Sequence, residues 1–318
     1  MSILLVAEDD EPNLPGLNRA CEWAGIESVT LNPYLLSKST ISWSPWDSGF
    51  LLTLPTGASH LSHEWTGIWA RRSKWPTLDI NHVGERFAAI ESIYLWNALV
   101  SSLSDVCWMN PAASITKWDN RLIQMKLARS LGWQVPETIV CTDPDIAKQF
   151  LAQHGEIVVK HLSAGGNTER ADRLLFTKML KSNDDYARDA LNHVIWCPTL
   201  LQKSIRKVVE VRAIVVNDRV FSAGIQPLKD SRSEVDGRLW IDTKLRFSRI
   251  DLGNAIERKL IELTQAMGFT YGAADLMIDE KEDIYFLELN CSGQWGFVEQ
   301  VTGYPITEKI IFSLCGHE

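Results

Sequence analysis

No two of the six cysteines form a C-x-x-C pair; they are scattered at positions 21, 107, 141, 197, 291 and 315. Neither a zinc ribbon nor a thioredoxin-type site is therefore expected, and a reduced, cytoplasmic setting is the natural one. No apolar run reaches the ~18 residues that a membrane helix needs, so a membrane partner is not expected. The opening residues 1–7 are apolar but meet Glu8-Asp9-Asp10-Glu11 at once. Lacking a basic segment and a long apolar stretch, they read as a buried strand and not as a signal peptide. Positive charge is also scarce. A formal net charge of -8 and a pI near 5.5 argue against a general nucleic-acid partner. The sequence has no G-x-G-x-x-G, which removes support for a dinucleotide site, and no G-K-[ST], which excludes a Walker A loop. It shows neither an internal repeat nor a low-complexity segment.

What is present is an ordinary globular composition, 45% hydrophobic and 23% charged over 318 residues, enough for two or three compact lobes. Residues 3–7, 14–24 and 27–31 read as strand, helix and strand, a βαβ start that predicts an open parallel sheet and an α/β fold. Residues 35–63, rich in Ser, Thr, Pro and Trp, read as loops around one short strand at 50–54. A strand at 67–70, a long helix over 84–103 and a strand at 106–109 follow. The long helix carries apolar Phe87, Ile90, Ile93, Tyr94 and Leu99 near helical spacing. Beyond Asn110-Pro111 the pattern gives a helix over 115–131 and a strand at 138–141. A helix starts at Asp143-Pro144, then come strands at 157–160 and 174–177 and a helix over 184–192. Strands at 200–204, 208–216 and 220–225 come next, the last two joined by a tight turn at Asn217-Asp218. Residues 230–242 read as a loop, and helices are expected at 254–267 and 306–314.

The chemistry gathers late in the chain. Tyr271-Gly-Ala-Ala-Asp275 and Ile284-Tyr-Phe-Leu-Glu288-Leu-Asn290 place oxygen ligands at the ends of two apolar strands. Alternation puts Glu288, Asn290 and Phe286 on one face, with Tyr285, Leu287 and Leu289 on the other. If the strands pair, Asp275 meets Glu288 and Asn290. Two carboxylates and an amide oxygen suit Mg²⁺ held with phosphates better than zinc or copper. Solvated strand-end acids are the simpler reading on spacing alone. Lys160 ends a strand before the loop Ser163-Ala-Gly-Gly-Asn167, where a lysine and backbone N–H groups can hold a phosphate; the alternative is a snorkelling surface lysine. The strand Leu200-Leu-Gln-Lys-Ser-Ile205 can offer its backbone to an adenine edge. Glu210 and Arg212 share a face of an apolar strand, either as a functional pair or as a structural ion pair. In Asn290-Cys-Ser-Gly-Gln-Trp295, Gln294 and Trp295 are candidate pocket walls, unless the segment is a capped turn with a core tryptophan. His60-x-x-His63-Glu64 has no helical pattern and reads as a solvated loop.

Taken together these residues resemble the ATP-grasp superfamily over roughly the last two thirds of the chain. The order is an Asn-(Lys/Arg)-Leu helix at Asn120-Arg121-Leu122, strand Lys160, a Gly loop, Gln202-x-x-Ile205, Glu210-x-Arg212, Asp275 and Glu288-x-Asn290. Within it the chain looks most like graspetide (microviridin-type) synthetases, which macrocyclise ribosomal peptides. That closer match rests on Ile68-Trp-Ala-Arg-Arg72, Trp108-Met-Asn-Pro111, Pro198-Thr-Leu-Leu-Gln-Lys-Ser-Ile-Arg-Lys207, Val235-Asp-Gly-Arg238, Gly293-Gln-Trp295 and Thr302-Gly-Tyr-Pro-Ile306. The resemblance implies an N-terminal pre-grasp domain (1–109), a central lobe (110–197) and a C-terminal lobe (198–318), the latter two sandwiching ATP.

It further implies that Asp275, Glu288 and Asn290 hold Mg²⁺, two ions, against ATP phosphates. Lys160 and Arg121 meet phosphates beneath a lid at Gly165-Gly166. Lys203, Ser204 and Ile205 meet adenine, mainly through backbone, and Glu210 the ribose; Gln202 also belongs to the ATP site. Arg212 faces the reacting carboxylate or transferred phosphoryl, and Asp236 and Arg238 orient substrate. The implied partner is a precursor peptide with a leader, bound through residues 173–192, and an acidic core; a homodimer is implied as well. Arg121 departs from the usual lysine and keeps only the charge, and Cys291 replaces the usual proline. The implied reaction forms an ester or amide through an acylphosphate. The alternatives are a RimK-like ligase that appends an amino acid to a protein, peptide or small molecule, and a non-catalytic nucleotide-binding regulator.

Overall fold

The computed structural model describes residues 1–32, 39–44, 46–47, 49–71, 83–103, 106–162, 177–226 and 246–316. Its elements run β1 (Ser2–Val6), α1 (Leu14–Trp23), β2 (Glu27–Leu31), β3 (Thr40–Trp43), β4 (Phe50–Thr53), β5 (Ser59–Leu61), β6 (Trp65–Ala70), α2 (Val83–Ser102) and β7 (Cys107–Trp108). Next come α3 (Ala112–Trp118), α4 (Arg121–Ser130), β8 (Thr138–Cys141), α5 (Pro144–His154), β9 (Glu156–Lys160), β10 (Lys178–Lys181), α6 (Asp185–Ala190) and β11 (Thr199–Lys203). The remainder is β12 (Lys207–Val216), β13 (Arg219–Gln226), β14 (Arg246–Arg249), α7 (Gly253–Ala266), β15 (Tyr271–Asp279), β16 (Ile284–Asn290), α8 (Gly296–Thr302) and α9 (Ile306–Leu314).

The βαβ start forms as expected: β2-β1-β6-β7 is a sheet in which every pair is parallel. Its central strands β1 and β6 are largely apolar because both faces are covered, whereas the edge strand β2 carries Glu27, Ser28 and Thr30 and is partly exposed. One face packs Leu4, Val6 and Ile68 against Phe50, Leu52, Trp96 and Leu99. The other packs Ile3, Leu5 and Trp69 against Leu17 of α1, Ile310 of α9, Tyr271 and Trp295. A second sheet has the order β10-β9-β11-β8, and its core joins Ile157 and Leu201 to Phe150 and Leu191. The third, β14-β13-β12-β15-β16, is antiparallel throughout. One of its faces is sealed by Ala128, Leu260 and Leu263 against Val211, Leu276, Phe286 and Leu289.

Caps explain several boundaries. The Asn120 side chain accepts from the N–H groups of Leu122 (3.0 Å) and Ile123 (3.4 Å), starting α4. This cap also corrects the single helix expected over 115–131. Asp119-Asn120 leaves helical geometry, because an Asn that bonds nearby backbone ends one helix and begins another. Asn217, with φ 53°, makes the expected turn between β12 and β13.

Other expectations change. Residues 40–61 form a three-stranded antiparallel sheet, β3-β4-β5, in place of loops around one strand. Its outer strands are half exposed and polar, so they lack an apolar alternation. In α2, Trp96 and Leu99 are buried, whereas Phe87, Ile90 and Tyr94 face solvent. The helix expected over 184–192 ends as α6 and continues as a 3-10 turn, Leu191–Trp196. A strand forms at Lys178–Lys181; residues 174–176 of the strand expected at 174–177 and the loop expected at 230–242 lie outside the described residues. α8 and β14 were not expected. His60 stands on β5 and His63 in a 3-10 turn, where Glu64 Oε2 accepts from Leu61 N–H at 3.1 Å. That segment is ordered structure, not the solvated loop expected.

Candidate active site

Three neighbouring strands carry the polar face of the third sheet. The register sets Arg212 opposite Asp275, Asp275 opposite Glu288, and Ala273 opposite Asn290. Directly opposed residues share a face, so Glu210, Arg212, Asp275, Glu288 and Asn290 stand together. One expected detail fails. Asp275 faces Glu288, but Leu276 faces Phe286, so Leu287 is an extra residue in a β-bulge. The bulge resets the alternation. Phe286, expected beside Glu288, lies instead in the core with Leu289.

Arg212 Nε lies 3.2 Å from Asp275 Oδ1. Asn290 Nδ2 sits 3.4 Å from Asp275 Oδ2 and 3.3 Å from Glu288 Oε1. Arg121, at the start of α4, donates from Nε to Glu288 Oε2 at 2.8 Å and from Nη1 to the His161 carbonyl at 3.1 Å. It therefore links β16 to the end of β9 in the second sheet. Lys160, on β9, donates to Gln202 Oε1 at 2.7 Å. Gln202 in turn donates to Thr138 Oγ1 at 2.9 Å, so a buried amide sets the direction of the lysine. Glu210 pairs with Lys207. The backbone amides of Lys203 and Ser204 donate to the carbonyls of Glu137 (2.8 Å) and Glu156 (3.1 Å). Gly165, Gly166, Asp236 and Arg238 lie outside the described residues.

The two carboxyl groups titrate apart. Burial pushes Asp275 up to about 7; Arg212 pulls it back, and the charges of Glu288 and Glu210 add to the rise. Burial also pushes Glu288 upward, but the charge and hydrogen bonds of Arg121 outweigh it and hold this carboxyl below its ordinary value, with help from Asn290 and Lys160. Neighbouring acids driven in opposite directions mark sites where chemistry is done. The donor set fits a hard divalent cation: two carboxylates and an amide converge on one place, and turning the Asn290 amide over exchanges its nitrogen for its oxygen there.

Other residues around the site have places that the sequence did not give. Asn110, 1% exposed, donates to the carbonyls of Tyr271 (2.8 Å) and Cys291 (3.0 Å) and accepts from the amides of Thr270 and Tyr271, both at 2.9 Å. It fixes where β15 begins and where the segment after Asn290 turns. Trp295, a candidate pocket wall, is a core residue stacked on Trp69. Gln294 is held by Asn13 and Glu11. The buried Glu11–Arg71 pair beneath them joins residues 60 apart. The signal that finds it is positional: both follow strands of one parallel sheet, at the carboxyl ends where such sheets place their functional groups. Cys291 has its thiol pushed up by burial, consistent with no chemical role.

Residues 118–314 match the RimK-like ATP-grasp domain, and the chain belongs to that family of ligases. Similar solved structures include the macrocyclase MdnC of Microcystis aeruginosa MRC bound with precursor peptide MdnA. It is 24% identical, with 99% of this chain and 100% of that one covered and a TM-score of 0.86. A RiPP-associated ATP-grasp ligase of Chryseobacterium gregarium, in complex with ADP and a leader and core peptide, is 22% identical, covering 99% and 96% at a TM-score of 0.85. D-alanyl-alanine synthetase A of Vibrio cholerae is 11% identical, covering 99% and 98% at 0.59. A sequence search of curated proteins finds no match. The fold is thus that of ATP-grasp ligases. Among the described residues, no helix is long and apolar enough to cross a membrane.

Proposed function

We propose that this protein is an ATP-dependent ligase that forms ester or amide links between side chains of a ribosomally made precursor peptide. The observation that carries this reading is the convergence of Asp275, Glu288 and Asn290 with Arg212, Arg121 and Lys160 at the junction of two sheets. The complexes of similar structures with precursor peptides and ADP support it.

A carboxylate resists nucleophiles because of its charge. Attack of a peptide carboxylate oxygen on the γ-phosphorus of ATP breaks the bond to the β-phosphate oxygen. The products are an acylphosphate and ADP. A peptide hydroxyl or amine then attacks the acyl carbon, loses its proton and expels phosphate, leaving an ester or amide. Arg212 stands where it can face the charge that moves between these groups. Lys160 and Arg121 supply positive charge for phosphates. Asp275, Glu288 and Asn290 would hold Mg²⁺, which when bound would neutralise phosphate charge; two ions are the proposed number.

The same reading assigns Lys203, Ser204 and Ile205 to adenine, Glu210 to ribose and Gln202 to the ATP site. Gly165 and Gly166 are proposed for the lid, and Asp236 and Arg238 for substrate. It also includes the lobes 1–109, 110–197 and 198–318, a homodimer, and a cytoplasmic location.

Intact mass of a candidate precursor after incubation with enzyme and Mg-ATP tests the proposal. A loss of ~18 Da per link, one water, is expected. Glu288→Gln should lower the rate at least about 100-fold. A gain equal to an amino-acid residue would instead establish the appending ligase. Tight nucleotide binding without turnover on any acceptor would establish the regulator.

A further inference from the structure

The N-terminal sheet reaches the site through one buried arginine. Arg71 directly follows β6 and is 1% exposed. Its Nη2 donates to Glu11 Oε1 at 3.0 Å and its Nη1 to the Gly293 carbonyl at 3.2 Å. The guanidinium lies 5.1 Å from the ring centre of Trp69 and 4.7 Å from that of Trp295, and these two indoles stack on each other at 5.0 Å. Glu11 Oε1 also accepts from Asn13 Nδ2 (3.1 Å) and Gln294 Nε2 (3.3 Å). The Gly293 carbonyl takes a second bond, from the Tyr271 hydroxyl at 2.6 Å.

Gly293 has no slack on the other side. A Cβ placed there would sit 2.3 Å from Ala273 Cβ, 3.2 Å from Asn290 Cβ and 3.3 Å from Arg212 Nη1. The backbone that Arg71 grips is therefore packed directly against Arg212 and Asn290. A planar guanidinium holds two acceptors at fixed angles while it lies against the stacked indoles; an ammonium cannot.

We infer that Arg71, neutralised by Glu11, is a positioning residue for the ligase reaction. By fixing the Gly293 carbonyl it sets the floor on which Arg212 and Asn290 rest, so that the third sheet's reacting face is completed from the N-terminal sheet. This rests on the ligase reading above. A merely structural ion pair would anchor the two sheets without affecting the Arg212 guanidinium.

The test compares wild type with Arg71→Lys and with the double variant Glu11→Gln/Arg71→Met, which leaves no buried charge unpaired. Two readouts are taken: kcat and KM for ATP in the peptide reaction, and the Nε–H resonance of Arg212 in the ligand-free protein, assigned by its loss in Arg212→Lys. The expected result is a shifted Arg212 resonance in both variants, and a kcat lower by roughly 10- to 100-fold, the scale of a small misplacement. KM for ATP should stay within about twofold. An unmoved resonance with kcat within about twofold of wild type overturns the inference. If the double variant does not fold, Arg71→Lys decides, since it keeps a cation beside Glu11. If wild type turns over no peptide, the ligase reading falls, and the Arg212 resonance alone decides whether Arg71 positions it.

Discussion

Asp275 is held between an arginine that favours its charge and two acids that oppose it. Its carboxyl titrates near 7 in the fold, well above the ordinary value of 3.8. The fold therefore prefers the neutral form. The stability tied to this group is complete below the ordinary carboxyl value and is lost as pH rises through about 7. Asp275→Asn stays neutral at every pH. Its ligand-free melting temperature should exceed that of wild type by clearly more at about pH 8 than at about pH 5, the two converging only below the ordinary carboxyl value; an equal difference at both pH values would contradict this account. A cation needs the ionised carboxyl. Mg²⁺ should consequently bind more tightly, with a proton released, as pH rises through the same range, which calorimetry in two buffers of different ionisation heat would register. The acid itself was legible in the sequence, since it ends an apolar run. Its raised pKa was not, because the burial that drives it, the opposing pull of Arg212 and the added charges of Glu288 and Glu210 arise only when the strands pair.

At the scale of elements, the site stands on two close fits. Asn110 satisfies four backbone groups of the segments on either side of the site. Asn110→Asp keeps the shape but cannot donate to Tyr271 and Cys291 and adds a buried charge. A loss of roughly 2–4 kcal/mol is expected from urea unfolding. Gly67 is the other: a Cβ there would lie 2.1 Å from the backbone carbonyl oxygen of Leu314. Gly67→Ala must push α9 off β6, with an expected cost of about 1–3 kcal/mol in the same assay. The strands β12, β15 and β16 were legible because apolar residues flank Glu210 and Arg212, Asp275, and Glu288 and Asn290. The bulge at Leu287 was not, since nothing local distinguishes Leu287 from its neighbours; only the pairing with β15 shows which residue is extra. The sheet β3-β4-β5 was hidden for the opposite reason, its exposed polar strands giving no apolar rhythm.

Across the whole molecule, Arg121 spans two sheets by holding Glu288 on one and the His161 carbonyl at the edge of the other. Arg121→Lys keeps the charge but cannot make both contacts in one plane. Amides of β9 should then exchange with deuterium roughly 2- to 10-fold faster, as expected for one lost hydrogen bond; unchanged exchange would show that the link holds nothing. The family resemblance was legible because its residues fall in order along the last two thirds of the chain. The route by which the first sheet reaches the site was not, because Glu11 and Arg71 meet Gly293 only after three distant segments assemble. The same assembly governs synthesis. The face of the first sheet that carries Ile3, Leu5 and Trp69 is covered by Ile306, Ile310 and Leu314. During translation α1 can cover part of that face early, but the part under α9 stays bare until α9 has left the ribosome. The sheet built on β1 is thus completed only when residues far along the chain arrive, and it cannot finish folding ahead of them.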